Sequence, residues 1–520
     1  MSTKNIQPGI LEGQTVEKGL ALSCDVCVVG SGAGGGTTAA VLAKAGLHVI
    51  VVEEGGYFTQ NRFRMLEAES FPNLYQEGGQ RTTKDLSAAI YQGRSVGGGT
   101  TVNWTTCFHL PEETLEHWSK KRGVRSLTND ALAPHYKAME KRLGIHKVDL
   151  AQVNKNNRLL YDGCKKLGWK VDTLKRNVRG CAQTGYCGLG CPIDAKQSTL
   201  ITTLPDAMNH GATVISRCRV EKLHQEGSHI RSLSAVFLDA FGRKETGVKV
   251  DIKAKKFILS AGSIGSPSIL LKSGISSGSG LTGKRTFLHP VIGCGAIFDE
   301  EVHGYHGAPQ GAASHHFAHR GDEMGYFMEV VPLQPLFVSG GIGGFGKTHF
   351  DTMQQLPNLQ VSIAIGIDGL HDFQGGEVGI DKDGNPQLDY QFSEHHFKAF
   401  RHATKSLSRV QLAAGAKEVL TLHDPAGKIY KESDVDTVID ALPFAANQIY
   451  IGSAHQMGGL PMSDEKEKGV VRAEDLRHFD VDNLHVFDGS VFPTSLGVNP
   501  QLSIYGLTHL MASRLATSWK

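Results

Sequence analysis

The segment Gly30-Ser31-Gly32-Ala33-Gly34-Gly35 sets glycines at the three fixed positions of G-x-G-x-x-G: Gly30, Gly32 and Gly35. The first permits a tight turn, the second lets the backbone approach a pyrophosphate, and the third lets a helix pack closely on a strand. The chemistry is dinucleotide binding, with the anion received at a helix N-terminus. Glu53 closes the apolar run that begins at His48, at the spacing that lets a carboxylate bond an adenosine ribose hydroxyl and repel a 2′-phosphate. This pattern does not separate NAD from FAD, since both present an ADP half. A second glycine-rich loop, residues 93–104, contains Gly97, Gly98 and Gly99 and suits close approach of backbone to a flat or charged ligand. Cys181, Cys187 and Cys191 are spaced C-x5-C-x3-C. Three thiolates suit an iron–sulfur cluster, but no firm fourth ligand accompanies them, so a structural thiol cluster without metal is expected. His315, His316 and His319 also lack a diagnostic partner and are expected on a loop or surface. His395 and His396 follow Ser393-Glu394 and are expected to open a helix.

The elements that would position these residues are legible in outline. Residues 25–30 read as a buried strand, residues 36–45 as the helix behind the glycine turn, and residues 48–53 as a second strand. Residues 251–260 and 484–487 read as two more strands, the first running into another glycine-containing turn. Residues 355–395 contain short alternating runs and a turn signal at Asp383-Gly384-Asn385-Pro386, which suits an antiparallel sheet. Lys and Arg number 54 against 52 Asp and Glu, disfavouring disorder and a basic nucleic-acid surface. Glycine supplies 62 of 520 residues, above the usual ~7%, so glycine loops carry much of the information. Nine cysteines in so long a chain do not resemble a small secreted disulfide scaffold, and a cytoplasmic location is expected. The first residues show no secretory signal pattern, and no stretch of about 18 apolar residues predicts a transmembrane helix.

Three segments carry a resemblance to a known family. Gly93 to Asn103 reads G-R-x-x-G-G-x-x-x-x-N, similar to the flavin-binding signature of the glucose-methanol-choline (GMC) oxidoreductases. Residues 260–275, beginning Ser260-Ala261-Gly262, resemble a second signature of that family, and residues 483–494, containing Asp488-Gly489, resemble a third. The matches run in family order along nearly the whole chain. Within the family, Gly97-Gly98-Gly99, Val102-Asn103-Trp104 and Ser453-Ala454-His455-Gln456-Met457-Gly458 look most like the long-chain (fatty) alcohol oxidase branch. Residues 459–463 depart from that branch, with Gly-Leu-Pro-Met-Ser where it more often has Thr-Cys-Arg-Met-Gly.

The resemblance implies an α/β Rossmann-like FAD-binding domain, discontinuous over residues 1–110, 200–290 and 455–520. It also implies a substrate domain on an antiparallel sheet over residues 111–199 and 291–454. It implies FAD held at Gly30, Gly32, Gly35, Glu53, Gly97, Gly98, Asn103, Ala261, Asp488, Gly489 and Asn499. Alcohol oxidation needs a group to take the hydroxyl proton while hydride leaves carbon for flavin N5, and histidine suits this near neutrality. Among 24 histidines the family pattern singles out His455 as that base, with Asn499 holding the substrate oxygen. The expected substrate is an uncharged, lipophilic or aromatic primary alcohol, and the expected acceptor is oxygen or another oxidant. The alternatives are an iron–sulfur-containing GMC dehydrogenase subunit passing electrons to a cytochrome, and a flavin-binding module without alcohol turnover. His109, near the glycine loop, is noted as a place to check for covalent flavin attachment.

Overall fold

The computed structural model describes residues 7–371 and 373–519, so part of the N-terminal reading lies outside the described residues. A mostly parallel sheet is built from β1 (Gly9–Glu12), β2 (Leu20–Val29), β3 (Val49–Val52), β4 (Thr213–Ser216), β5 (Cys218–Glu226), β6 (His229–Leu238) and β7 (Glu245–Leu259). Its spatial order is β1-β4-β3-β2-β7-β6-β5. All four residues of β3, Val-Ile-Val-Val, are buried, as a central strand covered on both faces requires. A second sheet has an antiparallel run of five strands in the order β9-β10-β8-β11-β12, formed by β8 (Val291–Ile297), β9 (Tyr326–Val330), β10 (Leu359–Gly366), β11 (Glu418–Thr421) and β12 (Lys428–Ile429). The chain then returns to the first sheet, where β13 (Leu484–Val486) runs parallel to β7 with Val486 opposite Leu259. Three widely separated stretches of sequence therefore converge on one sheet end. The turn at Asp383-Gly384-Asn385-Pro386 joins the antiparallel strands Gly376–Ile380 and Pro386–Asp389, as expected.

Seven helices matter here: α1 (Ala33–Lys44), α2 (Asn129–Leu143), α3 (Lys155–Lys166), α4 (Gly262–Ser273), α5 (Pro335–Gly341), α6 (Glu394–Ala414) and α7 (Gln501–Ser518). The start of α6 is closed by a capping box in which Ser393 and His396 bond each other's backbone. Helices α3 and α6 pack on one another, and α6 lies along β8 and β10. Leu110, Leu115, Trp118, Leu132, Tyr136, Met139 and Leu143 belong to the core of the parallel sheet. They pack there because α2 turns an apolar stripe (Leu132, Tyr136, Met139, Leu143) toward α7. Among the described residues no helix is long and apolar enough to cross a membrane.

Candidate active site

A single cavity of about 1260 Å³ runs from the first glycine turn to His455 and on into the face of the antiparallel sheet. At its first end Gly30 has φ +99°, and α1 begins directly after Gly32, its N-cap, on a run of small residues. A Cβ on Gly35 would stand 1.9 Å from the Gly30 carbonyl, so this glycine serves helix–strand packing behind the cavity wall. A Cβ on Gly34 would stand 1.8 Å from the Phe487 carbonyl, which shows how tightly α1 meets the strand after β13. Glu53 is buried, and its carboxylate accepts the Ser31 N–H (3.0 Å), the Ser31 hydroxyl (2.6 Å) and the Gly55 N–H (2.8 Å). Burial raises its pKa while these three bonds pull it down.

The second glycine loop faces the first. A Cβ on Gly98 would lie 2.9 Å from Gly32 Cα and would intrude into the cradle between the loops. Gly97 stands behind the lining and donates its N–H to Ser31 Oγ (2.9 Å), tying the two loops together. Asn103 lines the cavity and donates to Gln501 Oε1 at the start of α7 (2.8 Å). Lys196 braces this loop from behind: its buried ammonium donates to the carbonyls of Thr101 (2.5 Å), Asn103 (3.1 Å) and Cys187 (2.7 Å). Burial lowers its pKa to about 8. The cysteine-bearing segment therefore supports the glycine loop through the Cys187 carbonyl. All nine cysteines are free, and among the described residues no three metal-ligating side chains converge.

The third segment completes the cradle. Ala261 and Gly489 line the cavity, and Asp488 joins their turns by accepting the Gly262 N–H (2.9 Å), the Ser266 hydroxyl (2.5 Å) and the Ser490 N–H (2.8 Å). A long cleft floored by opposed glycines, with a helix N-terminus at one end, fits an elongated dinucleotide such as FAD.

His455 and Asn499 both line the cavity beyond this floor. Packing around His455 lowers its pKa to about 4, so the ring is neutral near pH 7. Its Nδ1 lies 3.3 Å from Nδ1 of His289, a fully buried ring whose pKa burial also drives well down. Asn499 donates from Nδ2 to Glu329 Oε2 (3.3 Å). Glu329 and Gln310 also line the cavity, and Gln310 Nε2 donates to Glu329 Oε2 (2.5 Å). No sequence motif pointed to Glu329, and none assigned chemistry to His289. The available signal for Glu329 was a lone carboxylate inside the apolar run Tyr326-Phe-Met-Glu-Val-Val. His109 lies elsewhere: it is half exposed, stacks on Tyr136, bonds Glu140 and does not reach the cavity. His319 pairs with Glu113 at the surface, and His315 stacks on Phe327.

Comparison with known proteins agrees with this geometry. Residues 71–291 match the N-terminal GMC oxidoreductase domain and residues 374–508 the C-terminal one. A long-chain-alcohol oxidase of Arabidopsis thaliana is 29% identical over 519 residues, covering 96% of this chain and 68% of the relative. An uncharacterised GMC-type oxidoreductase of Mycobacterium tuberculosis is 30% identical over 497 residues, covering 94% and 75%. Among solved structures, pyridoxine 4-oxidase from Mesorbium loti superposes with a TM-score of 0.69 at 17% identity, covering 94% of this chain and 99% of that one. A formate oxidase gives 0.70 at 14% identity, covering 97% and 99%. The chain belongs to the GMC oxidoreductase family. It is a flavoprotein that uses FAD and acts on alcohols, as the glycine cradle and the family match together establish.

Proposed function

We propose that this protein oxidises the CH–OH group of a lipophilic primary alcohol to the aldehyde, with oxygen or another acceptor taking the electrons afterwards. FAD, when bound, supplies the hydride acceptor. Gly30, Gly32, Glu53, Gly98, Asn103, Ala261, Asp488 and Gly489 hold it in this proposal, with Gly35 and Gly97 fixing the loops from behind. His455 is the base in this proposal, a duty that needs a bare ring nitrogen, and Asn499 holds the oxygen by hydrogen bonding.

One observation carries the choice of substrate. Val361, Ile363 and Ile365 are alternate residues of β10 and line the cavity together with Trp104, Val331 and Phe337. The residues around α5 extend this apolar surface outward. Phe337 and Val338 line the cavity, while Leu336, Phe345 and Phe350 are exposed beyond it. Met65 and Leu66, also exposed, lie beside them, because Glu67 accepts the N–H groups of Leu336 (2.7 Å) and Phe337 (2.8 Å). An aliphatic tail gains about 0.8 kcal/mol per methylene buried on such a wall. The similarity to long-chain-alcohol oxidases points the same way. Measuring kcat/KM along a series of primary alkanols tests this: the value should climb steadily with chain length, and a preference for short or charged alcohols would contradict it. The free cysteines support the cytoplasmic location proposed for the chain. The iron–sulfur alternative finds no converging cysteine set among the described residues.

A further inference from the structure

Five of the nine large apolar side chains exposed among the described residues gather on one face: Met65, Leu66, Leu336, Phe345 and Phe350. Apolar side chains scattered singly are ordinary on a protein surface, whereas a contiguous group marks a contact with something else. Two links hold this group together. Glu67 accepts the N–H groups of Leu336 (2.7 Å) and Phe337 (2.8 Å), which sets Met65 and Leu66 against the start of α5. The His349 ring meets the Ser339 carbonyl at 3.1 Å, which ties the short helix Lys347–Gln354, carrying Phe350, to α5. Phe345 lies in the connection between the two helices. Gly344 (φ +94°) and Gly346 (φ +58°) turn the chain on either side of it, and the ring is 95% exposed, so it contributes nothing to the core.

The charge around this face has a pattern. Residues 335–354 contain one lysine and one acid, Lys347 and Asp351, paired with each other at 2.7 Å. Arg62 and Arg64 stand beside Met65 in the chain, and Arg64 pairs with Glu69 (3.0 Å). Exposed pairs of this kind are weak and can exchange one anion for another. The face is therefore apolar at its centre, with three cations at its rim against two acids, which complements a layer of phosphate headgroups over acyl chains.

Behind the face, α5 forms a wall one helix thick. Phe337, Val338 and Gly341 line the cavity on its inner side, and Leu336 is exposed on its outer side. The Phe337 ring lies 5.5 Å from that of Tyr91 and 6.3 Å from that of Trp104, so apolar surface runs unbroken from the cavity into α5. Resting on the lipophilic-alcohol reading above, we propose that this face docks on a phospholipid bilayer. Phe345 and Phe350 enter the acyl boundary, Arg62, Arg64 and Lys347 meet headgroup phosphates, and α5 alone separates the cavity from the phase that holds the alcohol. Long-chain alcohols collect in bilayers because every methylene favours leaving water. A protein partner seated here would cut the cavity off from that source. Attachment is interfacial, since no described helix is long and apolar enough to span the membrane.

The test uses the FAD-loaded protein and vesicles of mixed phosphatidylcholine and phosphatidylglycerol. Wild type should co-sediment with them. A double variant, Phe345→Asp with Phe350→Asp, should bind about tenfold more weakly or worse, because two aromatic side chains no longer leave water. Arg62→Glu with Arg64→Glu should weaken binding too. Phe241→Asp, at an exposed ring in the turn between β6 and β7, should bind like wild type. Neither Phe345 nor Phe350 lines the cavity, so flavin reduction by a short, water-soluble alcohol should be unchanged in their double variant. Reduction by a long alcohol carried in the vesicles should fall in step with binding. Wild type left in the supernatant would overturn the proposal. So would undiminished vesicle binding by the Phe345 and Phe350 double variant, or an equal loss in Phe241→Asp. A dimer abolished by that double variant, with no vesicle binding, would assign the face to a second copy of this chain instead. Vesicle binding needs no turnover: if the protein binds as described and no alcohol bleaches its flavin, the oxidation reading fails and the docking surface stands.

Discussion

Asn499 gives one amide hydrogen to Glu329 Oε2 at 3.3 Å, which orients its side chain and leaves the second hydrogen of Nδ2 for another acceptor. A substrate oxygen between Asn499 and His455 would therefore receive that N–H from Asn499 and turn its own proton toward the His455 ring. Removing one such donor typically costs about 10²–10³ in turnover. His455→Ala, which removes the base, should lose about 10²–10⁴-fold, and Asn499→Ala less, both with FAD retained. Anaerobic stopped-flow reduction, read beside the visible spectrum of each variant, measures this.

His289→Leu should reduce stability as well as rate. It removes the acceptor of the Gly497 N–H, at a position with less than 1% exposure, and an unpaired buried polar group costs about 1–3 kcal/mol. It also releases Nδ1 of His455, so the NMR signature of that ring should change tautomer or broaden. Thermal denaturation and the His455 nitrogen shifts should move together. A change in melting temperature with unaltered shifts would assign His289 to packing alone.

Gly98→Ala tests the cradle. The added methyl would stand 2.9 Å from Gly32 Cα, at a residue whose φ of +52° already disfavours a side chain. The protein should fold and lose most of its FAD on gel filtration. Gly34→Ala, whose methyl would meet the Phe487 carbonyl at 1.8 Å, should instead fail to accumulate. Absorbance at the flavin band relative to protein, in the soluble fraction, separates the two outcomes.

Much of the first sheet was legible because its signals are local. Strand, glycine turn, helix, strand and Glu53 lie within one short stretch, and each residue type has a single steric or electrostatic reason to be there. The loop at residues 93–104 and the two turns at Ala261 and Asp488 were legible through family likeness. Glu329 and His289 were not, since their roles arise from contacts across the sheet: Glu329 with Asn499, 170 positions along the chain, and His289 with His455, 166 positions away. The stripe of α2 has helical spacing, but only its partner α7 shows which core it joins.

Lys196→Met should separate bracing from chemistry. The thioether keeps most of the apolar stem but strands the carbonyls of Thr101, Asn103 and Cys187. A loss of about 1–3 kcal/mol is expected, with weaker FAD retention because the loop it supports lines the cavity. Reduction of the FAD that remains bound should proceed at close to the wild-type rate. Stability by denaturant titration and the bound-flavin rate give the two readings independently.

The most direct test of alcohol oxidation is the visible spectrum of the FAD-loaded protein, followed without oxygen as primary alcohols of increasing chain length are added. The oxidised-flavin band should disappear, fastest with the longer alcohols, and the aldehyde should form in equal amount. A folded, FAD-loaded protein whose band no alcohol bleaches would contradict the account.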